Sequence, residues 1–124
     1  MAKGRGFESL DVYRLSEKLA DSVWEIVHQW GNLAKDTLGK QIIRSADSVG
    51  ANIAEGCGRG TYKDNRKFVD NARGSLCETR HWLRRAFQRN LLPTEQINKV
   101  RAIVDELSPR LNAYRNSLKR RSAT

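Results

Sequence analysis

The sequence has few of the residues that build redox, metal or disulfide sites. It contains 2 Cys and 2 His in 124 residues. Cys57 and Cys77 form no CxxC pair, so a disulfide framework is not expected, and a reducing compartment would leave both as thiols. His28 and His81 stand in no HExxH pattern and at no metal-ligand spacing from a cysteine. We therefore expect neither a metal site nor a cofactor.

Long hydrophobic runs are also missing. Polar residues interrupt every segment, which excludes an apolar signal core and the roughly 20 apolar residues of a membrane span. We therefore expect a cytoplasmic protein with no membrane contact. A chain of 124 residues that is 39% hydrophobic is the size of one domain with one core. We expect that domain to cover residues 1–124, with short flexible termini at about 1–6 and 119–124.

Positive charge is abundant and unevenly placed. The formal net charge is +9. Residues 1–55 hold 7 Lys or Arg and 8 Asp or Glu, a net charge of −1, whereas residues 56–124 hold 16 and 6, a net charge of +10. A basic half of this kind favours an acidic partner such as a nucleic acid.

Four segments place apolar residues three or four positions apart, as one face of a helix requires. The first two run from Val12 to Trp30 and from Leu38 to Ile53, and the glycine-rich stretch 56–60 marks a turn after the second. Thr61, followed three residues later by Asp64, predicts the start of a third helix.

The fourth segment keeps its apolar spacing from Ile97 to Leu118 without a miss. Pro109 lies roughly 200° around this helix from Leu107, so its ring should face outward, and it should either kink the helix or restart it with Ser108 as cap. Four amphipathic helices with short connections predict an all-α, antiparallel up-down-up-down four-helix bundle.

The third helix has an unusually wide apolar face. One stripe comprises Phe68, Ala72, Ser75, Thr79, Trp82 and Ala86, and beside it lie Val69, Leu76, Leu83 and Phe87. One bundle core can bury only about one such stripe, so we expect a homo-oligomer. The side chains expected to meet a neighbouring subunit are Trp24, Val69, Leu76 and Leu83.

A polar strip accompanies the apolar face of the second helix. It consists of Arg44, Ser48, Asn52 and Glu55. Ser75 and Glu78 of the third helix are its expected polar partners. Glu55 and Glu78 could serve as an acid-base pair, but nearby arginines would keep both ionised. We favour a structural polar network, buried or at an interface, that holds the second helix against the third or against a neighbouring subunit. We expect no enzymatic activity.

The basic residues of the third helix form a series. Arg66, Arg73, Arg80 and Arg84 each lie roughly 200° from a residue of the main apolar stripe, which predicts an outward basic ridge. The candidate phosphate contacts are Arg66, Arg73, Arg80, Arg84, Arg85 and Arg89, with Lys119, Arg120 and Arg121 at the C-terminal end. A solvated face that only confers solubility is the alternative.

Specific motifs accompany this pattern. They are Arg44-Ser45-Ala46-Asp47-Ser48-Val49, Asn52-Ile53-Ala54-Glu55-Gly56, and Gly74-Ser75 with Glu78. With these motifs the chain resembles the four-helix-bundle proteins encoded by intervening sequences of bacterial 23S ribosomal RNA genes, also labelled S23. The resemblance implies ring-like homopentamers, and a related group comprises accessory proteins of retroelements that bind nucleic acid and a reverse transcriptase. Asn71, where the family more often has an aliphatic residue, is a departure that could alter packing between subunits.

Three functions follow from the sequence. The first is a non-enzymatic oligomer that binds RNA or DNA through phosphates. Few aromatics interleave with the arginines, so backbone binding with little sequence preference is expected, Tyr62 being the one candidate for base stacking. The second is a scaffold or accessory subunit whose basic ridge meets an acidic protein. The third, a nuclease, is the weakest because no clustered acidic set could hold Mg²⁺.

Overall fold

In the computed structural model, which describes residues 6–123, the four predicted segments form four long helices. These are α1 (Asp11–His28), α2 (Lys40–Cys57), α3 (Tyr62–Gln88) and α4 (Thr94–Ser122). A short 3₁₀ turn, Phe7–Ser9, precedes α1. Residues 6–123 contain no strand, so the predicted all-α, four-helix fold is confirmed.

The helices surround one core in chain order. Helix α1 contacts α2 and α4, and α3 contacts α2 and α4, so the α1–α2 face and the α3–α4 face lie on opposite sides of the bundle. Contacts between neighbours pair an early residue of one helix with a late residue of the other, the order of antiparallel helices. Such contacts join Asp11 to Arg110, Gly56 to Phe68, and Asp70 to Arg115.

The core contains the apolar residues that the periodicity selects. The largest side chains with less than 2% exposure include Leu19, Ile42, Ile53, Leu107, Leu111 and Leu118. These six residues lie on α1, α2 and α4. Helix α3 contributes Val69 and Thr79, whose side chains are equally buried. Every helix therefore supplies one face to a shared interior.

The prediction that Val69, Leu76 and Leu83 remain for a neighbouring subunit was wrong. Their side chains are at most 5% exposed within the single chain. Helix α3 packs between α2 and α4, and two flanking helices bury a wider face than one partner would. Of the four residues assigned to a neighbour, only Trp24 is exposed, at 59%.

The helix ends follow local signals with three differences from expectation. The Thr61 hydroxyl accepts a hydrogen bond from the Asp64 backbone N–H at 3.1 Å, which confirms the predicted cap of α3. Helix α2 extends to Cys57 and so includes Gly56. Helix α4 runs through the exposed Pro109 without a restart.

The third difference is at the C-terminus, where residues 119–122 continue α4 instead of forming the expected flexible segment. Leu118 is buried just before them, which ties this last turn to the core. Of the predicted flexible N-terminus, residues 1–5 lie outside the described residues, as does residue 124.

The entry to α2 was not foreseen. A helical turn, Asn32–Ala34, leads directly into a π-helical turn, Lys35–Gly39, which joins α2. The wider π turn places the consecutive residues Leu38 and Gly39 both in the interior. A Cβ on Gly39 would lie 2.7 Å from a methyl group of Val27, so α1 and this turn approach closely here.

Candidate nucleic-acid interface

A groove of about 760 Å³ runs between the C-terminal half of α3 and the N-terminal half of α4. Its apolar lining includes Leu83 from α3 and Ile97 and Val104 from α4. Arg80 and Arg84 from α3 also line it, and they are one helical turn apart. The groove therefore combines apolar side chains of the bundle core with cationic side chains.

Helix α4 completes the basic lining with Arg101. Arg101 lies four residues after Ile97, on the same side of α4, because residues four apart share a helix face. Sequence reasoning missed it because only the arginines of the third helix were considered as a series. The four-residue spacing between Ile97 and Arg101 could have identified Arg101 from the sequence.

The charge of the groove is only partly balanced. Among the residues that the structure describes, none forms an ion pair with Arg80, Arg84 or Arg101, and Asp105 is the one carboxylate among the lining residues. Three guanidinium groups and one carboxylate leave an excess of positive charge beside apolar walls. An anion in the groove would therefore be attracted.

Arg73 is in a different electrostatic environment. Its guanidinium lies 3.3 Å from a carboxylate oxygen of Asp70, to which Arg115 donates at 2.8 Å. Partial burial alone would raise the pKa of Asp70, but the hydrogen bonds and charges of Arg115 and Arg73 outweigh it and hold that pKa below its usual range. Asp70 thus neutralises part of the charge that the sequence analysis assigned to phosphate binding.

The core face of α3 is wider than the stripe from which the basic ridge was predicted. Its buried residues come from both stripes and are Val69, Ala72, Leu76, Thr79, Leu83 and Ala86. Arg73 and Arg80 precede Leu76 and Leu83 by three positions, so these two arginines lie about 60° from part of the core although they lie about 200° from Ser75 and Trp82. The same spacing relates the half-buried Arg66 to Val69.

The remaining predicted contacts are distributed over other surfaces. Arg85 does not line the groove, but it donates at 2.6 Å to the side chain of Gln88, which does. Arg89 follows the end of α3 and is exposed. Lys119 and Arg120 are exposed in the last turn of α4, and the Arg121 guanidinium lies 5.5 Å from the centre of the Tyr62 ring.

The predicted polar network does not connect α2 and α3 within the chain. Asn52 donates to the Ser48 carbonyl at 2.8 Å, Arg59 donates to Glu55 at 2.8 Å, and the Trp82 indole donates to Glu78 at 3.1 Å, each between residues four apart in the sequence. Arg44, Glu55 and Glu78 are exposed, and Ser75 is half-buried. These residues therefore form no hydrogen bond between the two helices of the single chain, because the long side chains turn outward to partners one turn away. A network with a neighbouring subunit stays a prediction.

A different contact joins the two helices in the interior. The hydroxyl of Thr79, fully buried, donates to the hydroxyl of Ser45 at 2.9 Å. Sequence reasoning placed Thr79 in an apolar stripe and gave Ser45 no role. Each hydroxyl also lies near a carbonyl of its own helix, Thr79 at 2.8 Å from Ser75 and Ser45 at 3.2 Å from Ile42. The pair favours one register of α2 against α3, since a shift would break the bond between the helices.

We therefore expect Glu78→Ala to lower the free energy of unfolding by less than about 1 kcal/mol, as for an exposed hydrogen bond. Thr79→Val should lower it by about 0.5–1.5 kcal/mol, because the bond between the helices is lost while the Ser45 hydroxyl keeps the Ile42 carbonyl. Urea unfolding of the two variants measures the difference. A loss of 3–5 kcal/mol for Glu78→Ala would restore the buried-network prediction.

A second polar cluster lies where α2, α3 and α4 meet near the C-terminus of α4. The Tyr114 hydroxyl lies 3.6 Å from the Cys57 sulfur and accepts a hydrogen bond of 3.4 Å from the Asn65 amide. Burial, with a smaller contribution from the hydrogen bond to Cys57, raises the pKa of Tyr114 to about 12. Tyr114 therefore stays protonated at neutral pH, and we assign the cluster to packing.

Two further features bear on the class of protein. Within residues 6–123, no three His, Cys, Asp or Glu side chains are grouped so that they could hold a metal ion. Each helix among these residues is either too short or too polar to span a lipid bilayer.

The fold and the groove together define a four-helix-bundle protein with one basic face. The chain matches the family model described as 23S rRNA-intervening sequence protein over residues 8–113. It therefore belongs to this family, and the predicted membership is confirmed.

Comparison with solved structures agrees with the fold. The chain is similar to the crystal structure of a protein of unknown function from the S23 ribosomal protein family of Bacteroides thetaiotaomicron. The TM-score is 0.74 and the sequence identity 22%, over 83% of this chain and 96% of the other. Among proteins with curated descriptions, none matches this chain.

Proposed function

We propose that this protein is a non-enzymatic binder of RNA or DNA whose α3–α4 groove holds backbone phosphates. The observation that supports the proposal best is the group of three arginines, Arg80, Arg84 and Arg101, for which the described residues offer no ion pair. Guanidinium groups suit phosphate because they present several donors in a planar fork. Phosphate contacts position a nucleic acid without reading its sequence.

The basic surface extends beyond the groove. Arg66 lies 18 residues before Arg84 on α3, a distance of about 27 Å along the helix at 1.5 Å per residue. Arg66 is half-buried, and Lys119 is exposed in the last turn of α4. A strand that follows this face could contact phosphates along the whole bundle, with Arg73 contributing less because Asp70 neutralises it.

Crosslinking tests where a nucleic acid lies. Bound RNA or DNA should crosslink to peptides from 77–88 of α3 and from 97–105 of α4. Crosslinks confined to α1 and α2 would contradict the proposal, because that opposite face contains the acidic groove lined by Glu17, Asp21 and Asp47. Burial, and to a smaller extent repulsion from the Asp21 carboxylate, raises the pKa of Asp47. A phosphate in this groove would meet the same repulsion.

We also propose that the protein forms a homo-oligomer, a pentamer by resemblance to its family. Two large apolar side chains support self-association: Trp24 is 59% exposed and Leu33 is 81% exposed, both outside the α3–α4 groove. An oligomer would repeat the basic face and multiply weak phosphate contacts. Light scattering at micromolar concentration should give a mass several times 14.1 kDa. The mass of a single chain would contradict this expectation.

A scaffold or accessory subunit is the second candidate. The same exposure of Trp24 and Leu33 favours it, since apolar side chains on a soluble surface also mark sites for other proteins. The basic groove would then face an acidic protein. Copurification with a protein and not with nucleic acid is the result expected from this candidate.

A further inference from the structure

The α3–α4 groove contains an exposed aromatic ring. Phe87, in the last turn of α3, is 47% exposed and lines the groove with Arg84 and Ile97. Three other large hydrophobic side chains of the described chain are similarly exposed: Trp24, Leu33 and Tyr62. None of the three lines this groove. Phe87 therefore places an accessible ring next to unpaired guanidinium groups.

We infer that the groove takes unpaired nucleotides, with a base stacked on Phe87 and the adjoining phosphates held by the three arginines. The inference rests on the proposed function and adds a preference for single strands. Base faces are accessible in a single strand, whereas a duplex covers them with neighbouring base pairs. Stacking of a base on an aromatic side chain contributes roughly 1–3 kcal/mol with little dependence on sequence.

The dimensions of the groove fit a short stretch of strand. Arg80 lies seven residues before Phe87, about 10 Å along α3. A stacked strand advances by about 3.4 Å along its axis for each nucleotide, so this length corresponds to about three nucleotides. The groove volume of about 760 Å³ lies within the usual range of about 300–1,000 Å³ for small-molecule sites. The groove therefore has room for one base against the ring with its neighbouring phosphates beside the arginines.

The exposed ring explains why a base fits better than an acidic side chain. Leu83, Ile97 and Val104 line the groove but are each at most 8% exposed, so Phe87 is its exposed apolar side chain. A carboxylate could pair with the arginines, but its short polar side chain would leave the ring uncovered. A planar base stacks on the ring while its phosphates pair with the arginines, so both parts of the groove are used.

The test compares binding of a single-stranded oligonucleotide of about a dozen nucleotides with binding of the duplex of the same sequence. Phe87→Ala should weaken single-strand binding about tenfold and leave duplex binding within about twofold. Phe87→Trp should retain single-strand affinity, because the larger ring also stacks. The salt dependence should not change, since no charge is lost. Trp24→Ala is the control for self-association, because this exposed aromatic lies outside the groove. Any loss of affinity that it causes through the oligomer should be equal for single strands and for the duplex.

Several results would overturn the inference. If the wild-type chain binds nucleic acid and Phe87→Ala has no effect on single strands, the groove holds phosphates only, and the proposed function survives without the stacking. Equal losses for single strands and duplex would also refute it. If Phe87→Ala dissociates the oligomer in light scattering, the occupant is a second copy of the chain. If the wild type binds no nucleic acid, the proposed function and this inference both fail.

Discussion

Replacing Arg80, Arg84 and Arg101 together by Gln is expected to weaken nucleic-acid binding about 10²-fold at 0.1 M salt. Each phosphate contact contributes about 0.7–0.9 to the slope of log affinity against log salt, so losing three should shallow the slope by about 2–3. Folding should survive, because the three side chains lie on the groove surface and Gln keeps the helix propensity of Arg. A salt titration of wild type and variant measures both quantities.

The control removes the same charge elsewhere. Arg14, Arg44 and Arg110 are exposed outside the α3–α4 groove, and Arg110 is paired with Asp11 at 2.8 Å. Replacing these three by Gln lowers the net charge equally but should change the slope by much less. If both triple variants lose the same affinity, binding follows net charge and the groove has no special role. If neither loses affinity, the basic face is only a solvated surface and the scaffold candidate becomes the better account.

Gly56→Ala is expected to lower the free energy of unfolding by about 1–3 kcal/mol, the usual cost of an overpacked site. Gly56 is buried in α2 where it meets α3. An added Cβ would overlap the Asn65 side-chain oxygen and would lie 3.1 Å from both the Asn65 backbone oxygen and the Phe68 Cβ. The side-chain oxygen can move, but the backbone atoms are held by helix α3. This loss should exceed the gain of about 1 kcal/mol that Ala gives over Gly within a helix.

Gly74→Ala, in the neighbouring helix α3, is expected to raise the free energy of unfolding. Gly74 is exposed in the middle of α3, and an added Cβ would meet nothing within 4 Å. The variant should therefore gain up to about 1 kcal/mol from helix propensity alone. Thermal melting should show Gly56→Ala below wild type and Gly74→Ala above it. A Gly56→Ala variant as stable as Gly74→Ala would mean that α2 and α3 are not in such close contact.

The helices could be predicted from the sequence because each depends on local order along the chain. Apolar spacing identified the four segments, and Thr61 with Asp64 identified the start of α3. The burial of Leu76 and Leu83 could not be predicted in this way. Periodicity shows that two stripes lie side by side, but only the placement of α3 between α2 and α4 shows that one chain buries both.

Only part of the candidate site could be predicted from the sequence, for a related reason. Arg80 and Arg84 form a series within α3, so sequence spacing found them. Arg101 and Phe87 gain their significance from the packing of α4 against α3, which no single helical pattern reveals. The same limit explains the error about the polar strip. Residue spacing suggested that Glu78 would pair with a residue of α2, whereas it accepts its hydrogen bond from Trp82, one turn away in α3.

The central claim, that the basic face binds nucleic-acid phosphates, is tested most directly by the affinity of the wild-type protein for RNA hairpins, duplex DNA and single strands across a salt series. If Arg80, Arg84 and Arg101 each contact a phosphate, log affinity should fall linearly with log salt, with a slope of about −2 or steeper for each ligand. Single strands should bind more tightly than duplexes of the same length. Absence of binding to all three ligands at about 50 mM salt, where phosphate contacts are strong, would contradict the account.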